Sequence, residues 1–241
     1  MEKRFLRRRI GALCCIVGFL TIMAGLWISL APTAEDTAAA AQARPVLIID
    51  AGHGGEDGGA VAADGTVEAD INLGIACKLN LLVQLCGTDT EMTRTDEHIH
   101  YPADASTIAA RKAADQKQRA ALINSVANGV LISIHQNEYP APSPHGAQVL
   151  YASSTQSKAF GEAMHAALVN LLDPENRRVA APISNDIYLM RSVQCPAVLV
   201  ECGFLSNPEE LKKLKDGSYQ LKLSMVMLGS FLEYFQTGWN Q

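Results

Sequence analysis

Short apolar runs alternate with helical patterns along most of the chain, and this alternation limits the folds open to it. Strands are predicted at 45–50, 88–93, 130–135, 146–151, 187–191 and 197–201. Helices are predicted at 68–85, 106–127, 156–172 and 218–236, with a short one at 207–214. In the first helix Ile71, Ile75, Leu79 and Leu82 recur at helical spacing, and in the second Ala110, Ala114, Ala121 and Ile123 lie between charged residues. Gly87 stops the first helix, and Ser206 with Glu209 reads as a capping box for the short one. Strand–helix alternation implies an α/β fold: a mostly parallel sheet of roughly six strands, flanked by helices on both faces. Continuous apolar runs such as Val130–Ile134 and Ala197–Val200 suit central strands covered on both sides.

Ligands of such sheets gather beyond the carboxyl ends of the strands, and there this sequence places chemistry. His53 follows Val46-Leu47-Ile48-Ile49 in a glycine-rich loop, His135 closes the run from Val130, and Glu201 closes Ala197-Val198-Leu199-Val200. Glu68 opens the first helix. Each residue has a plain alternative. Glu68 alone reads as an acid favoured by the helix dipole, and His135 alone as a satisfied core histidine. Glu201, after four buried apolar residues, needs a partner or a task. Taken together, two imidazoles and a carboxylate make a set that holds one zinc ion with a coordination position open. That is the arrangement of a catalytic site, in which bound water acquires a pKa of about 7. Glu201 is the candidate proton carrier. The spacing is not that of a helix-borne His-Glu-x-x-His site, no Gly-x-Ser-x-Gly elbow occurs, and the nucleotide-binding glycine patterns are absent.

The first residues bear on location. Lys3, Arg4, Arg7, Arg8 and Arg9 precede an apolar run from Ile10 to about Ala31. Residues 1–31 read as a signal anchor or a signal peptide; either exports the rest of the chain, and the anchor would hold it to the membrane. Residues 32–44 read as a linker and 45–241 as one catalytic domain. A formal charge of −5 and the lack of a basic stripe argue against a nucleic-acid partner. No Cys-x-x-Cys pair offers a thiolate zinc site. Of the six cysteines, Cys77, Cys86, Cys195 and Cys202 fall in the domain; their disulfide state is open, with Cys77 and Cys86 read as free, semi-buried thiols. His98 and His100 read as a substrate-lining or solvated loop, with a second metal as the alternative. His145 and His165 read as surface residues. Arg94 and Arg119 are candidates to orient acidic groups or to form structural salt bridges, the latter favoured for Arg119. Arg191, on the predicted strand 187–191, is placed at the Glu201 end of the sheet as a candidate carboxylate binder.

Several motifs in order carry a resemblance: Asp50-x-Gly-His-Gly-Gly-x-Asp57-x-Gly-Ala60; Glu68 with Asn72-Leu73; Thr93-Arg94-x-Asp96; Arg119 with Asn124; Ser133-Ile-His135-x-Asn137; and Pro196 through Asn207. Over about residues 45–236 the chain resembles the zinc-dependent N-acetylmuramoyl-L-alanine amidases. The resemblance implies hydrolysis of the amide between the lactyl group of N-acetylmuramic acid and the L-alanine of the peptidoglycan stem. It implies His53, Glu68 and His135 as ligands of one zinc ion and Glu201 as the catalytic glutamate, with Asn137, Gln136 and Arg191 as candidate substrate contacts. Gln136 stands where many members carry a small residue. With no wall-binding repeat and no inhibitory-helix insertion evident, the chain is most similar to the spore-cortex amidases, which open the way to muramic-δ-lactam and for which a lipoprotein or sporulation partner is conceivable. The competing readings are a zinc peptidase cutting within the stem and a non-catalytic wall-binding module.

Overall fold

Hydrophobic alternation along each strand builds the fold, as seen in the computed structural model, which describes residues 44–238. The strands are β1 (Val46–Ala51), β2 (Thr90–Met92), β3 (Gly129–Asn137), β4 (Gln148–Tyr151), β5 (Ala181–Pro182) and β6 (Ala197–Phe204). They form one sheet in the order β2-β1-β3-β6-β4-β5. All neighbouring pairs are parallel except β4 with β6. The helices are α1 (Glu68–Leu85), α2 (Ile108–Ser125), α3 (Thr155–Leu172), α4 (Tyr188–Ser192), α5 (Pro208–Lys215) and α6 (Gly217–Gly238).

Because successive strand residues face opposite sides, the sheet supports two cores. Leu47, Ile49, Val130, Ile132, Ile134, Val198 and Val200 pack with Ile75, Leu79, Phe160, Met164, Leu223 and Phe231 from α1, α3 and α6. The intervening residues Ile48, Leu131, Ala197 and Leu199 pack with Ala120, Ile123, Leu189 and Met190 from α2 and α4. Helices therefore cover both faces. Caps set the helix ends. Thr107 and Ser154 accept backbone N–H groups at the starts of α2 and α3. After α1, Gly87 at φ 71° returns its N–H to Gln84 O while Thr88 N–H reaches Val83 O, the paired bonds of a Schellman motif.

Three local expectations are corrected. The run 187–191 is not a strand: Ser184-Asn185-Asp186 turns the chain, and Tyr188–Ser192, whose Leu and Met favour helix, forms α4 with Leu189 and Met190 buried. The remaining strand of the sheet is instead β5, two residues long and at its edge. The cap of α5 is Asn207, whose side chain accepts from Glu209 and Glu210 N–H, while Ser206 accepts from Tyr139 N–H. Cys77 and Cys86 are exposed rather than semi-buried, because they lie on the solvent side of α1 and at its end; all four domain cysteines are free thiols. No helix among the described residues is long and apolar enough to cross a membrane. The apolar run 10–31 and residues 32–43 of the linker lie outside the described residues.

Candidate metal centre

Register places the site. His135 pairs with Glu201 across β3 and β6, and Glu201 pairs with Gln148 across β6 and β4. Gly52, just beyond β1, donates its N–H to Ile134 O. Gly52, His135, Glu201 and Gln148 thus form one row across four strands, spaced about 4.8 Å per strand. Beyond this row the β3–β6 register slips between His135 and Asn137, the irregularity of a β-bulge.

Two imidazoles and Glu68 meet at this edge. One ligand atom from each of His53, Glu68 and His135 lies within 4.8 Å of the other two. His135 Nδ1 is 3.1 Å from Glu68 Oε1 and His53 Nε2 is 3.4 Å from Glu68 Oε2. The rings meet edge to face with centroids 4.9 Å apart. The glycines make room: a Cβ on Gly52 would stand 2.3 Å from His135 Nε2, and one on Gly59 2.5 Å from Glu68 Oε2. Asp57 Oδ2 approaches His53 Nδ1 at 3.1 Å and is itself paired with Lys112 Nζ at 2.9 Å.

Glu68 is buried at the first position of α1 and heavily bonded. Ala60 N–H donates to Oε2 at 2.9 Å, while Gln136 N–H and Asn72 Nδ2 donate to Oε1 at 3.0 and 3.2 Å. Loop carbonyls of Ala60 and Gly58 accept the first two N–H groups of α1, which helix ends otherwise leave unsatisfied. Burial alone would raise the Glu68 carboxyl; hydrogen bonds from His135 and His53 outweigh it and hold the group far below the usual carboxylate range. Burial likewise tends to strip the proton from His53, but Glu68 and Asp57 overcome it and raise its pKa. The pull that holds that proton is the pull a cation at the same place would feel.

Two buried arginines fix the loop that carries His53. Arg119 donates to Asp50 Oδ1 (2.8 Å), to both oxygens of Asp115, and to the carbonyls of Ala51 (2.8 Å) and His53 (2.7 Å). It is therefore a structural salt bridge that also grips the His53 backbone, a residue at φ 61°. Ser133 and Thr93 hydroxyls complete Asp50. Burial raises the Asp50 carboxyl, but Arg119 and these bonds bring it down to about 2. Arg94 orients no acid; it donates to the carbonyls of Ala51, Gly52, Ala69 and Asp96.

Glu201 shares the row of His135, and its Oε2 is a buried oxygen without a hydrogen-bond partner. Burial raises its carboxyl above the usual range; His135, His53 and Arg178 pull it down and Glu68 pushes it up. A carboxyl kept desolvated beside a cation-accepting cluster suits proton transfer.

Two expected contacts lie elsewhere. Gln136 is buried on the other side of β3, because residues flanking His135 alternate away from it, and its Nε2 donates to Asn72 Oδ1 at 3.0 Å. Arg191 sits on α4 over the ring of Tyr188, beside Tyr151, Ala152 and Cys195 in a cavity of about 510 Å³. Ala152 N–H bonds to Ala197 O at the start of β6, so Arg191 lies at the opposite end of that strand from Glu201. Asn137 is half-buried, two residues beyond His135 on β3 and past the register slip. His98 and His100 are exposed in a loop and His145 is exposed, whereas His165 is buried with Nε2 2.8 Å from Arg178 O. Asp57 and Asn72 were legible only as motif positions. Asn72 lies four residues after Glu68, on the same helix face, and that spacing is the signal for its role.

An α/β sheet that brings two imidazoles and a carboxylate together past its strand ends, with a desolvated carboxyl in the same row, defines a hydrolase domain with the donor set for one divalent cation. A profile described as N-acetylmuramoyl-L-alanine amidase matches residues 47–228. The germination-specific N-acetylmuramoyl-L-alanine amidase of Bacillus subtilis is 34% identical over 191 residues, 79% of each chain. The amidase LytC of the same organism is 26% identical over 193 residues, which make up 79% of this chain and 35% of that one. Among solved structures, the CwlD amidase of Clostridioides difficile, described in complex with the GerS lipoprotein, superposes with a TM-score of 0.77 at 34% identity, covering 80% of this chain and 99% of that one. The chain belongs to the N-acetylmuramoyl-L-alanine amidase family, and it is an enzyme of that activity.

Proposed function

We propose that the chain cleaves the lactyl–L-alanine amide of peptidoglycan outside the cytoplasmic membrane, with one zinc ion held by His53, Glu68 and His135 and with Glu201 as proton carrier. The observation that carries this reading is the meeting of three donor groups within 4.8 Å of one another beside an unpartnered carboxyl oxygen. The donors fit zinc: two imidazoles and one carboxylate, in a pocket that only glycine at 52 and 59 leaves open. Bound there, zinc supplies Lewis acidity and an activated water. The chain's own residues do the rest. Asp57 orients His53, the bonds from Ala60, Asn72 and Gln136 hold the Glu68 carboxylate in place, and Glu201 takes a proton from the attacking water at Oε2 and passes it to the leaving nitrogen of L-alanine. Its raised pKa brings it toward the range in which one group both accepts and donates.

Similarity to the germination-specific relative and to CwlD supports a role in the spore envelope, in cortex maturation toward muramic-δ-lactam, and the GerS complex supports a lipoprotein partner. The apolar run 10–31 supports export through a signal anchor or signal peptide, residues 32–44 a linker, and 45–241 the catalytic domain. Digestion of purified peptidoglycan with products identified by mass tests the reaction: an amidase leaves intact glycan free of peptide, whereas a stem peptidase leaves residues attached. E201Q should keep zinc and lose about 100- to 10,000-fold in rate; full activity in that variant would remove Glu201 from the mechanism.

A further inference from the structure

The row that contains Glu201 continues onto β4, and there it meets a cation to which the steps above assign no contact with substrate. Gln148 stands directly opposite Glu201, with Cβ atoms of such a pair about 5 Å apart. The Gln148 side-chain oxygen accepts from both Nε and Nη2 of Arg178. The guanidinium lies over the ring of Phe204, 4.9 Å from its centroid, on the same strand as Glu201. Its backbone is pinned as well: Asn176 Oδ1 accepts Arg178 N–H, and Arg178 O meets His165 Nε2. Arg178 is thus a pre-positioned, half-buried cation one side chain away from the proton carrier.

Partners and position together distinguish Arg178: Arg94 and Arg191 also meet only uncharged groups, but Arg94 is buried against four carbonyls and Arg191 lies at the other end of β6. Arg119 is committed to Asp50 and Asp115, Arg94 to four carbonyls, Arg111 to Glu56 and Lys112 to Asp57. The Arg178 guanidinium meets an amide oxygen and an aromatic ring, both uncharged. A guanidinium fixed in this way, with no carboxylate at ion-pair distance among the described residues, suits an incoming anion, and its planar fork matches a carboxylate in particular.

We infer that Arg178 is a specificity-determining residue that binds a carboxylate of the stem peptide on the leaving-group side of the scissile amide. This rests on the amidase reading above. An extended chain advances about 3.3–3.6 Å per residue, so a carboxylate borne by the residue after L-alanine lies about 7 Å from the scissile nitrogen. That span is of the order separating Glu201 from a group held by its cross-strand neighbour. A carboxylate left free on that residue would match the planar fork of the guanidinium, and its amide would not.

The test uses full-length, zinc-loaded enzyme and soluble glycan strands carrying either the free carboxylate or its amide at that residue. Wild type should favour the carboxylate strands about 10- to 100-fold in kcat/KM, the span of one charge-assisted bidentate contact. R178Q should raise KM on those strands by the same factor with kcat within about threefold, and should change kcat/KM on the amidated strands by no more than about threefold; R178K should recover part of the preference. Equal turnover of both strands by wild type, or an R178Q loss that is the same on both, would overturn the assignment while leaving the amidase reading intact. Turnover of neither strand by wild type would instead overturn that reading, and the assignment with it.

Discussion

Replacing Arg119 with methionine removes the link between the sheet and the His53 loop, and its cost can be worked from the contacts. The guanidinium is 3% exposed and Asp50 1%, so the variant leaves a buried carboxylate with only the hydroxyls of Ser133 and Thr93. It also leaves the carbonyls of Ala51 and His53 without that donor. Breaking a buried pair in this way costs about 3–5 kcal/mol, which for a domain of this size lowers Tm by about 6–20 °C. The pH dependence supplies an internal check. A carboxyl held at about 2 against an ordinary 3.8 contributes about 2 kcal/mol. Because the folded-state value is depressed, that contribution is present above about pH 4 and is lost as pH falls toward 2. In R119M the depression goes with the cation, so the deficit relative to wild type should be largest near neutral pH and should narrow as Asp50 protonates. Thermal and urea unfolding in chelator, at neutral pH and near pH 3, measure both quantities. The double variant D50N/R119M should regain part of the loss, since it removes one of the two charges that R119M strands, the other being Asp115. A neutral-pH loss below about 1 kcal/mol, or a deficit that widens in acid, would refute this account of the loop.

Two further outcomes probe the metal centre. Q136A leaves Asn72 Oδ1 without its donor and frees the amide that supports Glu68, so zinc affinity measured by chelator competition should fall about 10- to 100-fold; a changed KM at unchanged zinc affinity would return Gln136 to the substrate. G52A sets a methyl group 2.3–2.7 Å from three atoms of the His135 ring, so zinc per chain by elemental analysis should fall well below one, and stoichiometric zinc would contradict this packing.

The sequence carried the architecture because hydrophobic periodicity decides it. Runs such as Val130–Ile134 alternate between two cores, and the ends of β1, β3 and β6 point the way to His53, His135 and Glu201. It misled where periodicity is silent. Ile187–Arg191 is too short for a period to separate strand from helix, and α4 forms because the turn at Ser184–Asp186 delivers Leu189 and Met190 to the second core. That one misassignment carried Arg191 to the wrong end of β6. Gln136 was misread for a different reason. Its place beside His135 suggested the substrate, whereas in a strand the immediate neighbour of a residue facing the site points to the other side.

The rest of the site rests on pairings between distant segments. Nothing local to Arg178 announces a binding residue, and its position follows only once β4 runs antiparallel to β6 and sets Gln148 opposite Glu201. The parallel strands bring their own ends to the site, so His135 and Glu201 arrive by topology. β4, which with β5 runs against the other four strands, brings its beginning there instead, and this places Gln148 and the segment around Arg178 along the same row. The sheet's one reversal therefore extends the row past Glu201, the proposed proton carrier, and sets the proposed substrate-binding cation beside it.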